Sequence, residues 1–363
     1  MNSKIRILLT IPNFNTAGSG KVVYDLANGL DKKKFDVEIA CGDNKGAYFK
    51  TVESLGLPIH IIETKTPYKP YLTLLWRIKP VSRFYKKNKY DIVHSWQWNN
   101  DWTEALAARR AGVKWIYTKK AMGFASKHWK IKSRLANFIV TINDEMRDYF
   151  PNKKAQQLIP LGLDTTYYAS DPKLSPQNTE PFKIITVANL VPVKGIEVLI
   201  NAVKILKPHN VKLTVLGDCD NDYGNDMKQL VTKLRLDEHV EFLGKRLDVR
   251  PFISESHLYV IPTLDEGRKE GMPMALVEAM SMGIPLLGSN ITGIKFVLKD
   301  FQELLFEAGN AEILANKIDQ IRLMSSEERL ALGKTLRDYC VTHYSMEAFI
   351  TAHETLYQQL SGA

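Results

Sequence analysis

The chain has 363 residues, of which 45% are hydrophobic and 25% charged, a balance typical of a folded globular protein and unlike that of a disordered or fibrous one. At about 150 residues per domain, this length predicts two domains. The three cysteines lie far apart, which predicts a reducing compartment and no structural zinc. The first apolar run ends too early for a signal peptide, and no run reaches the ~20 residues of a membrane span, so we expect a cytoplasmic protein.

The net charge of +9 is unevenly distributed along the chain. Residues 1–165 contain 28 Lys and Arg against 14 Asp and Glu, a balance of +14, whereas residues 166–363 contain 21 against 26, or −5. Two clusters, 68–90 and 119–134, interleave the basic residues with aromatic ones. This pattern fits an anionic membrane surface, an acidic ligand, a nucleic acid, or solvated helix faces without a partner. Because no nucleic-acid-binding motif is present, we do not expect a nucleic acid as a partner. The basic and aromatic clusters instead suggest peripheral binding at the inner face of the plasma membrane.

Runs rich in Ile, Val and Leu alternate with helical segments, which predicts an α/β protein of successive βαβ units and parallel sheets. The first set of predicted strands lies near residues 5–11, 37–40, 59–62, 92–94, 115–118, 138–141 and 158–159. The second set lies near 183–187, 212–216, 240–243, 258–261 and 285–287. A polar, turn-forming stretch at 164–181 separates the two sets, and three helices are expected at 311–323, 327–340 and 346–360.

The first strand leads into a glycine-rich turn that contains Gly18 and Gly20, before a helix predicted at 21–30. Backbone amides in such a turn can approach a phosphate, whose charge the helix dipole favours. Asn15 and Val22 break the P-loop pattern, and no third glycine completes a dinucleotide fingerprint. The turn therefore indicates either phosphate binding or only a tight turn.

In the second half, the strand near 258–261 runs into a loop and a short helix, predicted over 274–282 because a glycine and a proline follow it. Pro273 suits the first turn of that helix. Glu270 lies just ahead of the helix and Glu278 about one turn inside it. A diphosphate held on the first-turn amides would leave both carboxylates near it as acceptors for sugar and ribose hydroxyls.

This stretch resembles the family-4 glycosyltransferases, which are retaining enzymes of the GT-B fold. The resemblance covers nearly the whole chain and rests on the Glu-x7-Glu pattern from Glu270 to Glu278, with supporting stretches at 159–164, 216–218, 240–244 and 289–294. It implies two Rossmann-like parallel-sheet domains that face each other across a cleft. By this resemblance, residues 1–165 with a returning helix at 345–363 bind the acceptor, and residues 166–344 bind a nucleotide sugar.

The resemblance also implies an activity and the residues that carry it. The activity is the transfer of a sugar, with retention, from a nucleotide diphosphate sugar to a glycan or lipid-linked acceptor, in bacterial surface polysaccharide or lipopolysaccharide synthesis, without a metal or another cofactor. Glu270 would contact the donor sugar and Glu278 the ribose. The remaining expected donor-site residues are Gly18, Gly20, Asn189, Lys194, Gly271, Met272, Pro273 and Met274.

One position departs from the family pattern. Lys194 stands where the family places a lysine on the diphosphate, but Asn189 replaces the expected arginine, and asparagine lacks the permanent charge and the bidentate geometry of a guanidinium. Another cation must therefore supply the charge. The candidates are Arg268, Lys269, Lys119 and Lys120, and the last two, which follow a strand where the family often has a histidine, are also candidate catalytic residues together with Glu270 and Lys194.

The candidates on the acceptor side each have two interpretations. His94 ends a predicted strand on the ligand-binding side of an α/β sheet, or it is a hydrogen-bonded core histidine. Trp96 and Trp98 stack on an acceptor sugar, or they pack in the core or between domains.

Two other functions remain open from the sequence. Asn189 and the missing histidine fit a catalytically weak or silent nucleotide-sugar-binding protein of the same fold. A nucleotide-sugar 2-epimerase shares the two-domain architecture.

Overall fold

The computed structural model describes residues 4–15, 17–171, 181–267 and 270–362. The chain divides into two compact units. Unit 1 comprises Met1–Gly162 and Met346–Ala363, and unit 2 comprises Leu163–Ser345. Half of the polar stretch expected to link the domains, residues 172–180, lies outside the described residues.

Unit 1 contains a parallel sheet which, within its described residues, has seven strands in the order β3-β2-β1-β4-β5-β6-β7. The strands are β1 (Ile5–Ile11), β2 (Phe35–Cys41), β3 (Ile59–Ile61), β4 (Ile92–Ser95), β5 (Lys114–Lys119), β6 (Phe138–Thr141) and β7 (Gln156–Leu158). The helices between them are α1 (Ala17–Gly29), α2 (Phe49–Glu53), α3 (Leu74–Arg77), α4 (Lys79–Asn88), α5 (Thr103–Ala111), α6 (Lys127–Leu135) and α7 (Asp144–Asp148).

Unit 2 repeats the plan with six strands in its described part, in the order β10-β9-β8-β11-β12-β13 and all parallel. The strands are β8 (Phe182–Val187), β9 (Val211–Leu216), β10 (Val240–Gly244), β11 (Leu258–Ile261), β12 (Leu286–Ser289) and β13 (Leu305–Phe306). The helices are α8 (Ile196–Leu206), α9 (Asp222–Lys233), α10 (Arg250–Ser254), α11 (Met274–Ser281), α12 (Thr292–Val297), α13 (Ala311–Leu323) and α14 (Ser326–Tyr344).

The central strand β1 shows why these sequences form parallel sheets. Its side chains point alternately to the two faces of the sheet. Ile7 and Leu9 enter one hydrophobic cluster, whereas Leu8 enters another on the opposite face, and all three are fully buried. A strand covered by helices on both faces needs a continuous apolar run, which is the signal read from the sequence.

The chain returns to unit 1 through its last helix, α15 (Met346–Ser361). Phe349, Leu356 and Tyr357 are buried in the same cluster as β1 and α1. A Cβ atom on Gly29 of α1 would lie 2.6 Å from the side chain of Ile350, so the glycine allows the two helices to pack closely. One face of α15, over about two and a half turns, thus completes the core of unit 1.

The predicted fold class, two Rossmann-like parallel-sheet domains, is confirmed by the two sheets. Two local differences stand out. Helix α1 begins at Ala17 rather than at 21, so Gly18 and Gly20 lie in its first turn and not in a loop. A Cβ atom on Gly20 would lie 3.1 Å from the Phe14 ring and 3.3 Å from the Tyr48 ring, so the glycine lets both rings pack closely against the helix. Strand β13 was not predicted, since two residues are too few to show a pattern.

Two further features of the described residues are their helix hydrophobicity and the state of the cysteines. No helix in the described ranges combines the length and the apolar content needed to cross a bilayer. Cys41, Cys219 and Cys340 are buried free thiols.

Candidate functional site

The candidate site of unit 2 is a cavity of about 340 Å³ at the carboxyl ends of its strands. It lies where β8, β9 and β11 end and where α11 begins. In the strand order of this sheet the crossovers change direction between β8 and β11, and open α/β sheets bind ligands at such a switch point. A larger cavity, of about 460 Å³, lies at the amino-terminal ends of β9 and β10, on the opposite edge of the sheet. We therefore assign the site to the smaller cavity.

Lys194 and Glu270, both predicted from the sequence, form an ion pair in this cavity. The Lys194 ammonium donates a hydrogen bond to Oε1 of Glu270, and both residues line the cavity wall. Their side chains are only 17% and 31% exposed. Because the carboxylate already neutralises the ammonium, Lys194 offers an incoming anion less net charge than an unpaired lysine would.

Two glycines allow the backbone to bring this pair together. Lys194 ends the 3-10 turn Pro192–Lys194, and Gly195 follows it in the left-handed conformation, with φ of 63°, which glycine adopts without strain. A Cβ atom on Gly293, in the first turn of α12, would lie 2.4 Å from the carbonyl oxygen of Glu270. The glycine therefore allows the Glu270 loop to lie directly against α12.

The charge that Asn189 lacks has an alternative source in the cavity. Asn189 is exposed and lines the cavity without contributing charge. Lys245 and Arg246 also line it, directly after β10, and sequence reasoning missed both of them. The rule that ligands bind at the carboxyl ends of parallel strands would have found them. Arg268 and Lys269, the nearby candidates named from the sequence, lie outside the described residues.

The start of α11 forms another part of the wall. Pro273, Met274 and Ala275 line the cavity, and the first-turn amides of a helix lack acceptors within the helix. Gly271 and Met272 are buried and support the turn rather than lining the cavity. The amide-rich end of α11 therefore faces the cavity, as a site for a phosphate requires.

Glu278 lies beside the cavity rather than in its lining. It accepts a hydrogen bond from the Tyr168 hydroxyl, and burial together with this carboxylate raises the pKa of Tyr168. The buried Tyr259 of β11 is close enough to both Glu278 and Glu270 for the two carboxylates to raise its pKa, after the larger effect of burial. The two glutamates of the sequence motif therefore lie in one region of unit 2.

The glycine-rich segment of unit 1 contacts one of the predicted lysines. Lys120, which follows β5, donates hydrogen bonds to Oγ of Ser19 at 2.9 Å and to the carbonyl of Trp96 at 2.8 Å. Ser19 lies between Gly18 and Gly20 in the first turn of α1. Burial, followed by repulsion from Lys132, lowers the pKa of Lys120 to about 7. Unit 1 therefore brings a lysine with a lowered pKa to a helix start.

Lys119 has a different environment. Its side chain is buried, and its ammonium donates hydrogen bonds to the carbonyls of Ala121 and Gly123, the latter at 2.9 Å. The ammonium also lies 3.9 Å from the centroid of the Trp129 ring. Burial lowers the pKa of Lys119 to about 8. These contacts hold the loop that follows β5, which is a structural role that the sequence did not reveal.

The three acceptor-side candidates separate into buried and exposed residues. His94 is fully buried, and its ring nitrogens hydrogen-bond the hydroxyls of Tyr357 at 2.6 Å and Thr118 at 2.8 Å. Burial lowers its pKa, which favours the neutral ring. Trp96 is also fully buried, whereas Trp98 is 44% exposed. The geometry favours the core interpretation for His94 and Trp96, and it leaves the Trp98 ring accessible to a ligand.

Both halves of the chain match known glycosyltransferase families. The profile described as Glycosyltransferase Family 4 matches residues 16–167, and the profile described as Glycosyl transferases group 1 matches residues 169–338. The chain belongs to the family-4 glycosyltransferases. A relative from Escherichia coli, named UDP-Gal:alpha-D-GlcNAc-diphosphoundecaprenol alpha-1,3-galactosyltransferase, is 25% identical over 303 residues, which cover 75% of this chain and 76% of that protein.

Solved structures share the fold of this family-4 glycosyltransferase. A glycosyltransferase from Rickettsia africae matches it with a TM-score of 0.84 and 18% identity over 99% of each chain. HepE from Anabaena, in complex with UDP, matches with a TM-score of 0.80 and 18% identity over 98% of this chain and 99% of that chain. These likenesses confirm the predicted GT-B fold.

Acidic, histidine and cysteine side chains are the residues of the glycosyltransferase that could hold a metal ion. Within the described ranges, no three of them lie together in a group that could hold a metal ion. Asp218 and Asp220 have a spacing that other glycosyltransferases use for metals, but they lie on the turn after β9. There the Asp218 carboxylate accepts a hydrogen bond from the Asp220 amide at 3.2 Å, and the Asp220 side chain is 92% exposed.

Proposed function

We propose that this glycosyltransferase transfers a sugar from a nucleoside diphosphate sugar to a glycan or lipid-linked acceptor with retention of configuration, in the synthesis of a bacterial surface polysaccharide or lipopolysaccharide. The observation that carries the proposal is the cavity of unit 2, where Lys194, Glu270 and the start of α11 meet at the carboxyl edge of the sheet. Acceptor binding is assigned to unit 1 in this proposal.

The donor is proposed to bind with its diphosphate at the amides of α11 and at Lys194. Lys245 and Arg246 also line the cavity and add positive charge that Asn189 does not provide. Glu270 then accepts hydrogen bonds from hydroxyls of the sugar, and Glu278 accepts them from the ribose. Carboxylates suit both roles because they accept several hydrogen bonds at full charge.

Catalysis in this proposal depends on charge that builds on the departing phosphate. Preorganised cations and helix-end amides that point at such charge are usually the largest catalytic contribution. Lys194 and the α11 amides serve this role. Attack on the same face of the sugar, with the leaving phosphate taking the proton of the acceptor, gives retention without a protein general base. We expect that the transfer reaction does not require a metal. The catalytic roles of Lys119 and Lys120 stay predictions.

UDP is the first nucleotide to test. The name of the Escherichia coli relative specifies a UDP-linked galactose donor and a diphosphoundecaprenol-linked acceptor. The Anabaena HepE structure contains UDP. These names support a UDP-sugar donor and a lipid-linked acceptor for this chain.

One observation favours a second function, a nucleotide-sugar-binding protein with little or no transferase activity. Asn189 contributes no charge to the cavity, and Glu270 neutralises Lys194. Such a protein binds the donor without cleaving it.

A donor screen separates the two functions. The purified chain is incubated with UDP- and GDP-sugars and with an undecaprenyl diphosphate-linked acceptor, and products are followed by mass. The proposed function predicts an acceptor heavier by one sugar residue together with nucleotide release that depends on the acceptor. Binding of a nucleotide sugar without any product, over the whole screen, would support the silent binder.

A further inference from the structure

One segment of unit 1 combines unusual charge with unusual exposure. Residues 64–90 contain eight Lys and Arg and no Asp or Glu. The segment includes α3 and α4, and their inward side chains, Leu74, Ile78, Val81 and Tyr85, are buried in the core of unit 1. Their spacing of three or four residues is that of one helix face, so the fold of unit 1 requires only this face to be apolar.

The outward side of the segment is nevertheless apolar at its beginning. Four large side chains are exposed in 71–76, and we refer to them as the apolar ridge: Tyr71 (56%), Leu72 (95%), Leu75 (56%) and Trp76 (74%). Single exposed apolar residues are ordinary on protein surfaces, but four within six residues indicate a surface that binds something. Because the core of unit 1 is built from the opposite face, packing does not explain the ridge.

Basic residues follow the ridge along the same surface. Lys79 lies 5.4 Å from the centroid of the Trp76 ring. Arg83, Lys86 and Lys87 project from the exposed face of α4, since the buried residues of that helix lie on the other side. Among the described residues, these three have no ion-pair partner within 4.0 Å. Their charge is available to a partner.

We propose that the apolar ridge and the basic face of α4 dock on the surface of an anionic lipid bilayer. Tyr71 and Trp76 have amphipathic rings of the kind that settle at the headgroup level, and Leu72 enters the acyl boundary below it. The cations of α4 face the lipid phosphates. The proposal concerns unit 1 and does not depend on the donor site of unit 2.

The charge of the segment favours a bilayer over a second copy of the chain. Two copies that met through this surface would bring together eight cationic residues from each copy, without a single acidic residue from either segment. Like charges placed against each other oppose association. An anionic bilayer supplies both an apolar layer for the ridge and negative charge for α4.

The two parts of the surface have separate expected effects. Burial of Leu72 is worth about a tenfold change in partition between water and membrane. Each basic residue near an anionic surface is worth about fivefold, so removal of three lowers the partition about a hundredfold if they act independently. The basic contribution fades with salt, because it is screened, whereas the apolar one persists.

The test is flotation of the full chain, without nucleotide, with vesicles of phosphatidylcholine alone and of phosphatidylcholine with phosphatidylglycerol. The apolar variant is Leu72→Ser with Trp76→Ser, and its matched control is Leu247→Ser, which changes a fully exposed leucine of unit 2. Since the changed side chains are exposed, folding is checked by thermal melting and should be unaltered.

The basic variant combines Arg83→Gln, Lys86→Gln and Lys87→Gln. Its matched control combines Lys32→Gln, Lys33→Gln and Lys50→Gln, exposed lysines of unit 1 that lie in the turn before β2 and on α2.

The proposal predicts binding to the anionic vesicles at low salt, loss of that binding in both variants, and binding like the unaltered chain in both controls. It also predicts a blue shift of tryptophan fluorescence on binding that Trp76→Phe reduces. Absence of binding to anionic vesicles at low salt would overturn it, and so would an apolar variant that binds like the unaltered chain. Self-association in sedimentation that only the ridge substitutions abolish would assign the surface to a second copy instead.

Discussion

The ion pair between Lys194 and Glu270 leads to a prediction with two opposite effects. Glu270→Gln keeps the size and one acceptor oxygen of the side chain but removes its negative charge. Lys194, which Glu270 neutralises in this structure, then faces the diphosphate with its full charge. We expect nucleoside diphosphates to bind more tightly to Glu270→Gln, while sugar transfer becomes slower.

The size of the binding effect follows from the charges. A carboxylate at about 6 Å from a diphosphate oxygen repels it by about 1 kcal/mol at an effective dielectric constant of about 50, between the protein-surface and bulk-water values. This dielectric constant includes screening by solvent, because the Glu270 side chain is 31% exposed. Removal of the repulsion tightens binding about fivefold. Loss of a charge-assisted hydrogen bond to the sugar is worth about 2 kcal/mol, so kcat falls about thirtyfold.

Calorimetric titration with UDP measures the first effect, and initial rates with the donor found in the screen measure the second. Lys194→Gln should weaken UDP binding about tenfold, because it leaves Glu270 unopposed next to the diphosphate. Glu303→Gln, which alters an exposed carboxylate of unit 2, is the matched control and should change neither quantity. Weaker UDP binding by Glu270→Gln than by the unaltered chain would refute the reasoning.

Gly217→Ala should lower the free energy of unfolding by about 3 kcal/mol in urea titration, because φ is 146° and a Cβ would lie 1.7 Å from the carbonyl oxygen of Ala188. Gly244→Ala, at φ of 69° with nothing within 4 Å, should cost only about 1 kcal/mol. Asn189→Arg should tighten UDP binding about tenfold in calorimetry, because it adds a guanidinium to the cavity wall. Burial lowers the pKa of His353 to about 4 in the folded chain, whereas the pKa of the same side chain is about 6.5 in the unfolded chain. As the pH falls, His353 is therefore protonated first in the unfolded chain, which favours unfolding. The contribution of neutral His353 to the free energy of unfolding is complete above about pH 6.5 and falls by about 3 kcal/mol by pH 4. His353→Phe should remove this loss, as measured by urea titrations across the same pH range.

Three results would contradict these predictions. Equal destabilisation by the two glycine substitutions would show that the close approach at Ala188 is unimportant. Unchanged UDP binding by Asn189→Arg would place the diphosphate away from that residue. An unchanged pH dependence in His353→Phe would assign the acid sensitivity to other groups, of which His94 is the nearest, with ring centroids 5.6 Å apart.

The fold could be predicted because buried parallel strands have a strong local signal. The run Ile5–Ile11 is apolar except at Arg6 and Thr10, and the structure gives β1 the same bounds as the prediction. Strand β13 has no such signal, since Leu305 and Phe306 become a strand only by pairing with β12. The predicted start of helix α1 is too late because glycines usually indicate a loop, whereas here Gly20 lies within the helix, close to the Phe14 ring.

The candidate site was less predictable, because its contacts join distant parts of the chain. Lys194 and Glu270 were named separately from the family pattern, and no spacing in the sequence indicates that residues 76 positions apart form an ion pair. Lys245 and Arg246 were missed because the supporting stretch at 240–244 ends with β10, immediately before them. The burial of His94 depends on α15, which lies more than 250 residues further along the chain.

The central claim is that unit 2 binds a nucleoside diphosphate between its strand ends and α11. The most direct measurement is calorimetric titration of the full chain and of Glu278→Ala with UDP and GDP, with Glu312→Ala, an exposed carboxylate of unit 2, as the control. The account predicts that at least one nucleotide binds and that Glu278→Ala weakens this binding about thirtyfold, the value of a charge-assisted hydrogen bond to the ribose, while Glu312→Ala does not. If neither nucleotide binds, or if Glu278→Ala binds as tightly as the unaltered chain, the donor site is not where this account places it.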